Sequence, residues 1–154
     1  MVRRLVAFVI AALVMVVLGT LAHSLMVQQA WIDAANMGDD SVPAALSFGE
    51  RASWFLTDLV GMETNVPPYG ALTSIALLIG FLAAGLVARF TGLRPIVFAV
   101  AGAVAIFVLF FALKSALGTV GVFGARGTLG LSLQIAAGLI AGWVFAQLTA
   151  PRAA

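Results

Sequence analysis

Residues 71–114 read ALTSIALLIGFLAAGLVARFTGLRPIVFAVAGAVAIFVLFFALK, two apolar runs parted by Thr91, Gly92, Leu93, Arg94 and Pro95. Each run meets the requirement of about 20 mostly apolar residues for a helix crossing a hydrocarbon core roughly 30 Å thick. Lipid offers no partner to a backbone amide, so each run has to satisfy its own amides as a helix, even where Val and Ile favour strand, as over 104–111. The short break, with its glycine and proline, makes the two helices an antiparallel hairpin.

Working outward, apolar runs at 5–27 and 129–150 satisfy the same requirement. The expected fold is an all-α integral membrane protein, a four-transmembrane-helix bundle with spans at 5–27, 71–89, 95–114 and 129–150. Residues 1–154 form one membrane domain, with a segment at 28–70 joining the first two spans and a glycine-rich loop at 115–128 joining the last two. The composition agrees: 63% hydrophobic residues, 9% charged residues and a mean hydropathy of +1.15 lie far from a soluble domain. With no cysteine, disulfides, thiolate metal sites and cysteine nucleophiles are excluded.

The eight basic residues are dispersed, which removes the clustered footprint of a nucleic-acid binder. Lys and Arg concentrate in cytoplasmic loops. With the N-terminus inside, Arg3, Arg4, Arg89, Arg94 and Arg152 fall on the cytoplasmic side and Arg51, Lys114 and Arg126 on the other. Both termini are then cytoplasmic, in a membrane of the bacterial inner (plasma) type. Arg3 and Arg4 ahead of an apolar run, with Thr20, Leu21 and Ala22 as a small-residue site, also resemble a signal peptide. The run from Leu5 to Ala22 is long for a signal core and continues through Leu25, Met26 and Val27, which favours an uncleaved anchor.

All six carboxylates, Asp33, Asp39, Asp40, Glu50, Asp58 and Glu63, lie in the segment 28–70, which becomes extracytoplasmic. Within it Ser47 and Glu50 have capping-box spacing, so a helix is expected over 47–60, ending at Gly61. Phe48, Ala52, Phe55, Leu56, Leu59 and Val60 recur at helical spacing, whereas Glu50, Arg51, Thr57 and Asp58 fall elsewhere, giving an amphipathic helix along the membrane surface. Trp54, Phe55 and Leu59 are its candidate partner-docking residues. Trp31, Trp54 and Tyr69 are expected at headgroup depth. Asp33, Asn36, Asp39 and Asp40 lack the alternating donors of a calcium loop, so a solvated acidic turn is expected and no metal.

Inside the spans the candidate polar residues are His23, Gln134 and Gln147. The single His23 cannot make a bis-histidine haem site within one chain, and its expected role is an interhelical hydrogen bond. Gln134 and Gln147, near opposite ends of the last span, read as sharing a side of the helix and bridging to neighbours. No acid falls within any predicted span, so the embedded carboxylate that commonly couples transport to a proton or sodium ion is missing. Helix packing is assigned to Gly80, Ala84 and Ala88 in the second span and to Gly138 and Gly142, a literal GxxxG, in the fourth. The third offers Ala99 with Ala103, opposite a stripe of Ile106, Leu109 and Phe110. Gly118, Gly121, Gly124, Gly127 and Gly130 recur every third residue and read as a flexible apolar connector.

No nucleophile with its base, metal-ligand set or carboxylate pair stands out, so neither an enzyme nor a cofactor is expected. The reading that remains is a small integral membrane protein acting by contact, an accessory or assembly subunit of a larger membrane complex. An oligomeric transporter or channel for a small solute or ion is the alternative. Its partners are the lipid bilayer and a larger membrane protein or a second copy of itself.

Overall fold

A computed structural model describes residues 2–38, 45–64, 68–118 and 122–150. They form five α-helices, α1 (Val2–Asn36), α2 (Phe48–Thr64), α3 (Tyr69–Thr91), α4 (Arg94–Leu117) and α5 (Thr128–Leu148), with a 3-10 turn at Phe123–Ala125 ahead of α5. No strand occurs among the described residues. Helices α1, α3, α4 and α5 are long and apolar enough to cross a membrane. Asp39, Asp40, Gly121 and Arg152, each given a role above, lie outside the described residues.

Local chemistry sets the boundaries. Gly92 ends α3 at φ 67° and Gly118 ends α4 at φ 71°, left-handed positions that a residue with a Cβ adopts at a cost. Pro95 opens α4, where its missing N–H costs no helical bond. At the start of α2 the Ser47 hydroxyl and amide both donate to Glu50 Oε2 at 2.7 Å, while the Glu50 amide donates back to Ser47 Oγ at 3.3 Å. Helix α3 has no side-chain cap at Pro68; the Glu63 carboxylate, from the last turn of α2, accepts the Gly70 N–H at 2.9 Å instead.

Two lengths differ from expectation. Helix α1 has 35 residues, about 52 Å at 1.5 Å per residue. It therefore outruns a 30 Å hydrocarbon core by about four turns in all, and residues 28–36, expected in the connecting segment, continue the helix. Helix α2 runs past Gly61 to Thr64, because open space beside Gly61 and no left-handed turn there give it no reason to stop.

The four long helices alternate in direction and pack as α1 against α5, α5 against α4, and α4 against α3, with a smaller α1–α3 contact closing the circuit. The interior is layered. Near the end where α1 begins, Phe81 stacks on Phe145 with centroids 4.6 Å apart, and Phe98 and Phe8 close around them. The middle layer is Met15, Leu77 and Ile106, all fully buried. Toward the α2 end the core turns polar, with Thr20, Ser24, Gln28, Thr73 and Gln134 buried.

At the α4–α5 crossing the backbones touch. A Cβ on Gly102 would overlap the Gly138 carbonyl oxygen, one on Gly142 would overlap the Phe98 carbonyl oxygen, and one on Gly138 would lie 2.6 Å from the Gly102 carbonyl oxygen. Gly80 meets Ala105 and Ala101 of α4, and Ala84 is buried with Ala88 beside it. The division of α4 differs from the sequence reading: Ala99, Gly102, Ile106 and Phe110 share one buried face, since steps of three and four keep residues on one side of a helix. Ile106 and Phe110 thus lie beside Ala99.

Helix α2 also divides differently. None of its residues is fully buried, and Phe48, Leu56 and Val60 are exposed at 87, 60 and 63%. Arg51 and Asp58, expected to point away, are half-buried on its inner side with Trp54, Phe55, Leu59 and Met62. The reason is polar pairing: Gln28 on α1 donates to the Arg51 carbonyl oxygen at 3.2 Å and accepts from its guanidinium at 3.3 Å.

Candidate functional site

Chemistry-bearing side chains gather at the α2 end, along one side of α1. Residues 19, 20, 23, 24, 27, 28 and 31 recur at helical spacing, so a single stripe of α1 addresses α3, α5, the 3-10 turn and α2 in succession.

Deepest on that stripe is a closed network. The Tyr69 hydroxyl donates to Gln134 Oε1 at 2.6 Å, and Gln134 Nε2 donates to the Gly19 carbonyl oxygen at 2.9 Å. Three helices are joined by one amide. Gly19 is required by space alone, since a Cβ there would overlap the Tyr69 hydroxyl. Thr73 returns its hydroxyl to the Tyr69 carbonyl oxygen at 3.0 Å, while Thr20 Oγ1 is buried without a partner among the described residues. Tyr69, expected at the membrane interface, is 4% exposed and belongs to this network. Gln147 does not: its separation of 13 positions from Gln134 turns it by about 140° at 100° per residue. Accordingly Gln134 is buried and Gln147 exposed.

One turn further along α1 stands His23. Its Nδ1 accepts the Gly124 N–H at 3.1 Å, so its partner is the 3-10 turn rather than another helix. From residue 122 onward the glycine-rich stretch packs closely around this bond. Gly124 and Ala125 are buried, a Cβ on Gly124 would lie 2.5 Å from the His23 Cα, and a Cβ on Gly130 would overlap the Gly124 carbonyl oxygen. Alternate glycines of the repeat therefore serve close backbone approach, and Gly118 serves a helix end.

Beyond His23 the inner side of α2 covers α1. Gln28 Nε2 also donates to Ser24 Oγ at 3.0 Å, and Trp31 meets Trp54 edge to face with centroids 5.6 Å apart. Trp54, Phe55 and Leu59 are accordingly half-buried, and the outward apolar side chains of α2 are Phe48, Leu56 and Val60. Between α1, α2 and the 3-10 turn lies an open cleft of about 510 Å³, with His23, Trp31, Asp58 and Phe123 on its walls. A second, purely aliphatic groove of about 700 Å³ runs between α3 and α4, past Ala76, Gly80, Ala101 and Ala105.

The opposite end is an arginine clamp. Arg3 Nε donates to the Leu148 carbonyl oxygen at 2.9 Å and its Nη2 to that of Ala150, both at the C-terminus of α5. Arg94 Nη2 donates to Thr149 Oγ1 at 2.7 Å while its guanidinium lies 5.0 Å from the Phe98 centroid.

Sequence reasoning named His23, Gln134, Gly138 and Gly142, but missed Tyr69 as a buried partner, Gly19 and Gly102 as points of close approach, and Asp58 as a cleft residue. A tyrosine two residues after Pro67 resembles an interfacial anchor, and isolated glycines in apolar runs carry no mark of what they face. Comparison with protein-family models, with curated proteins and with solved structures finds no match.

Proposed function

We propose that the chain is a small integral membrane protein acting by contact, as an accessory or assembly subunit of a larger membrane complex. One observation carries the reading: the fully buried Gln134 amide bonds through both its oxygen and its nitrogen within the chain, to Tyr69 and Gly19, which supports a role in holding helices together rather than in lining a path. The outward surfaces are left apolar, on the long helices and on α2 at Phe48, Leu56 and Val60. These three residues take over the docking role first given to Trp54, Phe55 and Leu59, whose side chains are half-buried.

The proposed orientation has both termini cytoplasmic and α2 outside, in an inner membrane of bacterial type. The arginine clamp supports it, since Arg3 bonded to Leu148 and Ala150 brings the first and last described turns to one end with Arg94. Extraction in mild detergent followed by affinity purification should recover a stoichiometric larger membrane protein. That recovery should fail for a Phe48→Ser, Leu56→Ser, Val60→Ser variant that retains its helix content.

An oligomeric solute or ion transporter is the second reading, favoured by the cleft that holds His23 and Asp58 at the α2 end. It requires flux in proteoliposomes containing this chain alone, sensitive to His23→Ala or Asp58→Asn. Such flux, with a homo-oligomer as the only species purified, replaces the contact reading.

A further inference from the structure

The cleft between α1, α2 and the Phe123–Ala125 turn combines one charge with apolar and aromatic walls. His23, Val27, Ala30, Trp31, Asp58 and Phe123 border its volume of about 510 Å³. The charge is that of Asp58, which borders the cleft and whose Oδ2 is shielded from solvent with no hydrogen-bond partner among the described residues. Such an oxygen is costly to leave without a donor. His23 does not neutralise it. Its Nδ1 accepts the Gly124 N–H, a bond that requires an unprotonated Nδ1, so the imidazole making it is neutral and holds its proton on Nε2. Among the described residues that line it, the cleft thus presents one carboxylate and no cation, with Arg126 behind the Phe123 ring.

Two of those walls attract cations. Trp31 and Phe123 are each about half exposed, and an aromatic face draws a positive group through its quadrupole. The Arg126 guanidinium, 5.3 Å from the Phe123 centroid, already uses that ring, so Trp31 and Asp58 carry the greater share of recognition. Bare metal ions fit poorly. Calcium takes six to eight oxygen ligands and zinc three or four His, Cys or carboxylate ligands, whereas one carboxylate and one imidazole stand here beside Val27 and Ala30. Aliphatic walls suit carbon substituents on the cation.

We propose that this cleft binds an alkylammonium group, with the Asp58 carboxylate as counter-charge and the Trp31 and Phe123 rings as its apolar enclosure. The group has two sources, the headgroup of an amino-phospholipid and a dissolved amine. Depth allows both: α1 outruns a 30 Å core, so its stretch from His23 to Trp31 falls near or beyond the hydrocarbon edge.

The test uses the full-length protein in a maltoside micelle. Calorimetric titration with choline should show saturable binding, weakened about tenfold or more by Asp58→Asn and by Trp31→Ala, partly restored by Trp31→Phe, and unchanged by Thr57→Ala. The neutral isostere 3,3-dimethylbutanol should not compete. In parallel, native mass spectrometry from nanodiscs of equal phosphatidylethanolamine and phosphatidylglycerol reads lipid retention. Preferential retention of phosphatidylethanolamine, lost in Asp58→Asn, assigns the headgroup as source; choline binding without that preference assigns a dissolved amine. Circular dichroism and gel filtration establish that each variant is folded. Absence of both signals in the wild-type protein overturns the proposal, as does undiminished binding in folded Asp58→Asn or equal binding of the isostere.

Discussion

Gln134 shows how much a single polar side chain decides inside an apolar helix. Its Oε1 receives the Tyr69 hydroxyl and its Nε2 serves the Gly19 carbonyl oxygen, so removing it strands groups on two other helices. Gln134→Leu should therefore cost about 1–2 kcal/mol, and Tyr69→Phe somewhat less, near the ~0.6 kcal/mol average for interhelical bonds in membranes. Reversible unfolding in mixed micelles checks both, and a Gln147→Leu control on the exposed side should be neutral. Glu50 supplies the pH dependence. Hydrogen bonds from the Ser47 hydroxyl and amide hold its carboxyl below the ordinary glutamate value of 4.5. Because the folded value is the lower one, the cap contributes above pH 4.5 and is lost as pH falls through the depressed value. The protection factor of the Ser47 amide, which donates to that carboxylate, should fall below that pH in the wild type, and Glu50→Gln should abolish the change. The sequence showed this cap directly, because capping depends on residues three apart. It did not show the Tyr69–Gln134 bond, whose partners are 65 positions apart.

At the scale of elements, the four apolar helices were legible because lipid leaves the backbone one solution and the hydropathy marks its length. Which side of each helix faces inward was less so. Gly138 and Gly142 announced themselves by spacing, but their counterpart Gly102 sits among Ala, Val and Ile with no periodic partner. A Cβ at Gly102 meets backbone rather than a movable side chain, so Gly102→Leu should destabilise by about 3 kcal/mol or more, seen as loss of the monodisperse protein on extraction. Gly85→Ala, in open space on α3, should have little effect or a small stabilising one. Helical spacing groups Phe48, Leu56 and Val60 with Phe55 and Leu59 on one apolar side of α2 and does not say which of them meet the protein; the pairing of Arg51 with Gln28 leaves Phe48, Leu56 and Val60 outward. The glycine-rich connector looked flexible because glycine usually is; here Gly124 and Gly130 are close-packed against His23 and each other. Gly124→Val should break the His23 bond and detach the turn, with faster exchange of the amide at residue 124.

For the whole molecule, the layers have different tasks. Arg3 ties α1 to the end of α5, the phenylalanine cluster and the glycine crossing fix the helices, and the polar layer at the α2 end presents a cleft and an apolar outer helix face. The confinement of acid to 33–63 indicated where the exposed chemistry would gather, but only the fold separates Glu50 and Glu63, which cap helices, from Asp58, which lines the cleft. The chain is proposed to act by contact through the outward face of α2. Photocrosslinking in the native membrane from a benzophenone amino acid at Leu56 tests it, with the same probe at Ile79 on the lipid-facing side of α3 as reference. A single discrete adduct with one larger membrane protein from Leu56, absent from Ile79, is the predicted result. Crosslinks from Leu56 only to lipid or to a second copy of this chain would contradict it.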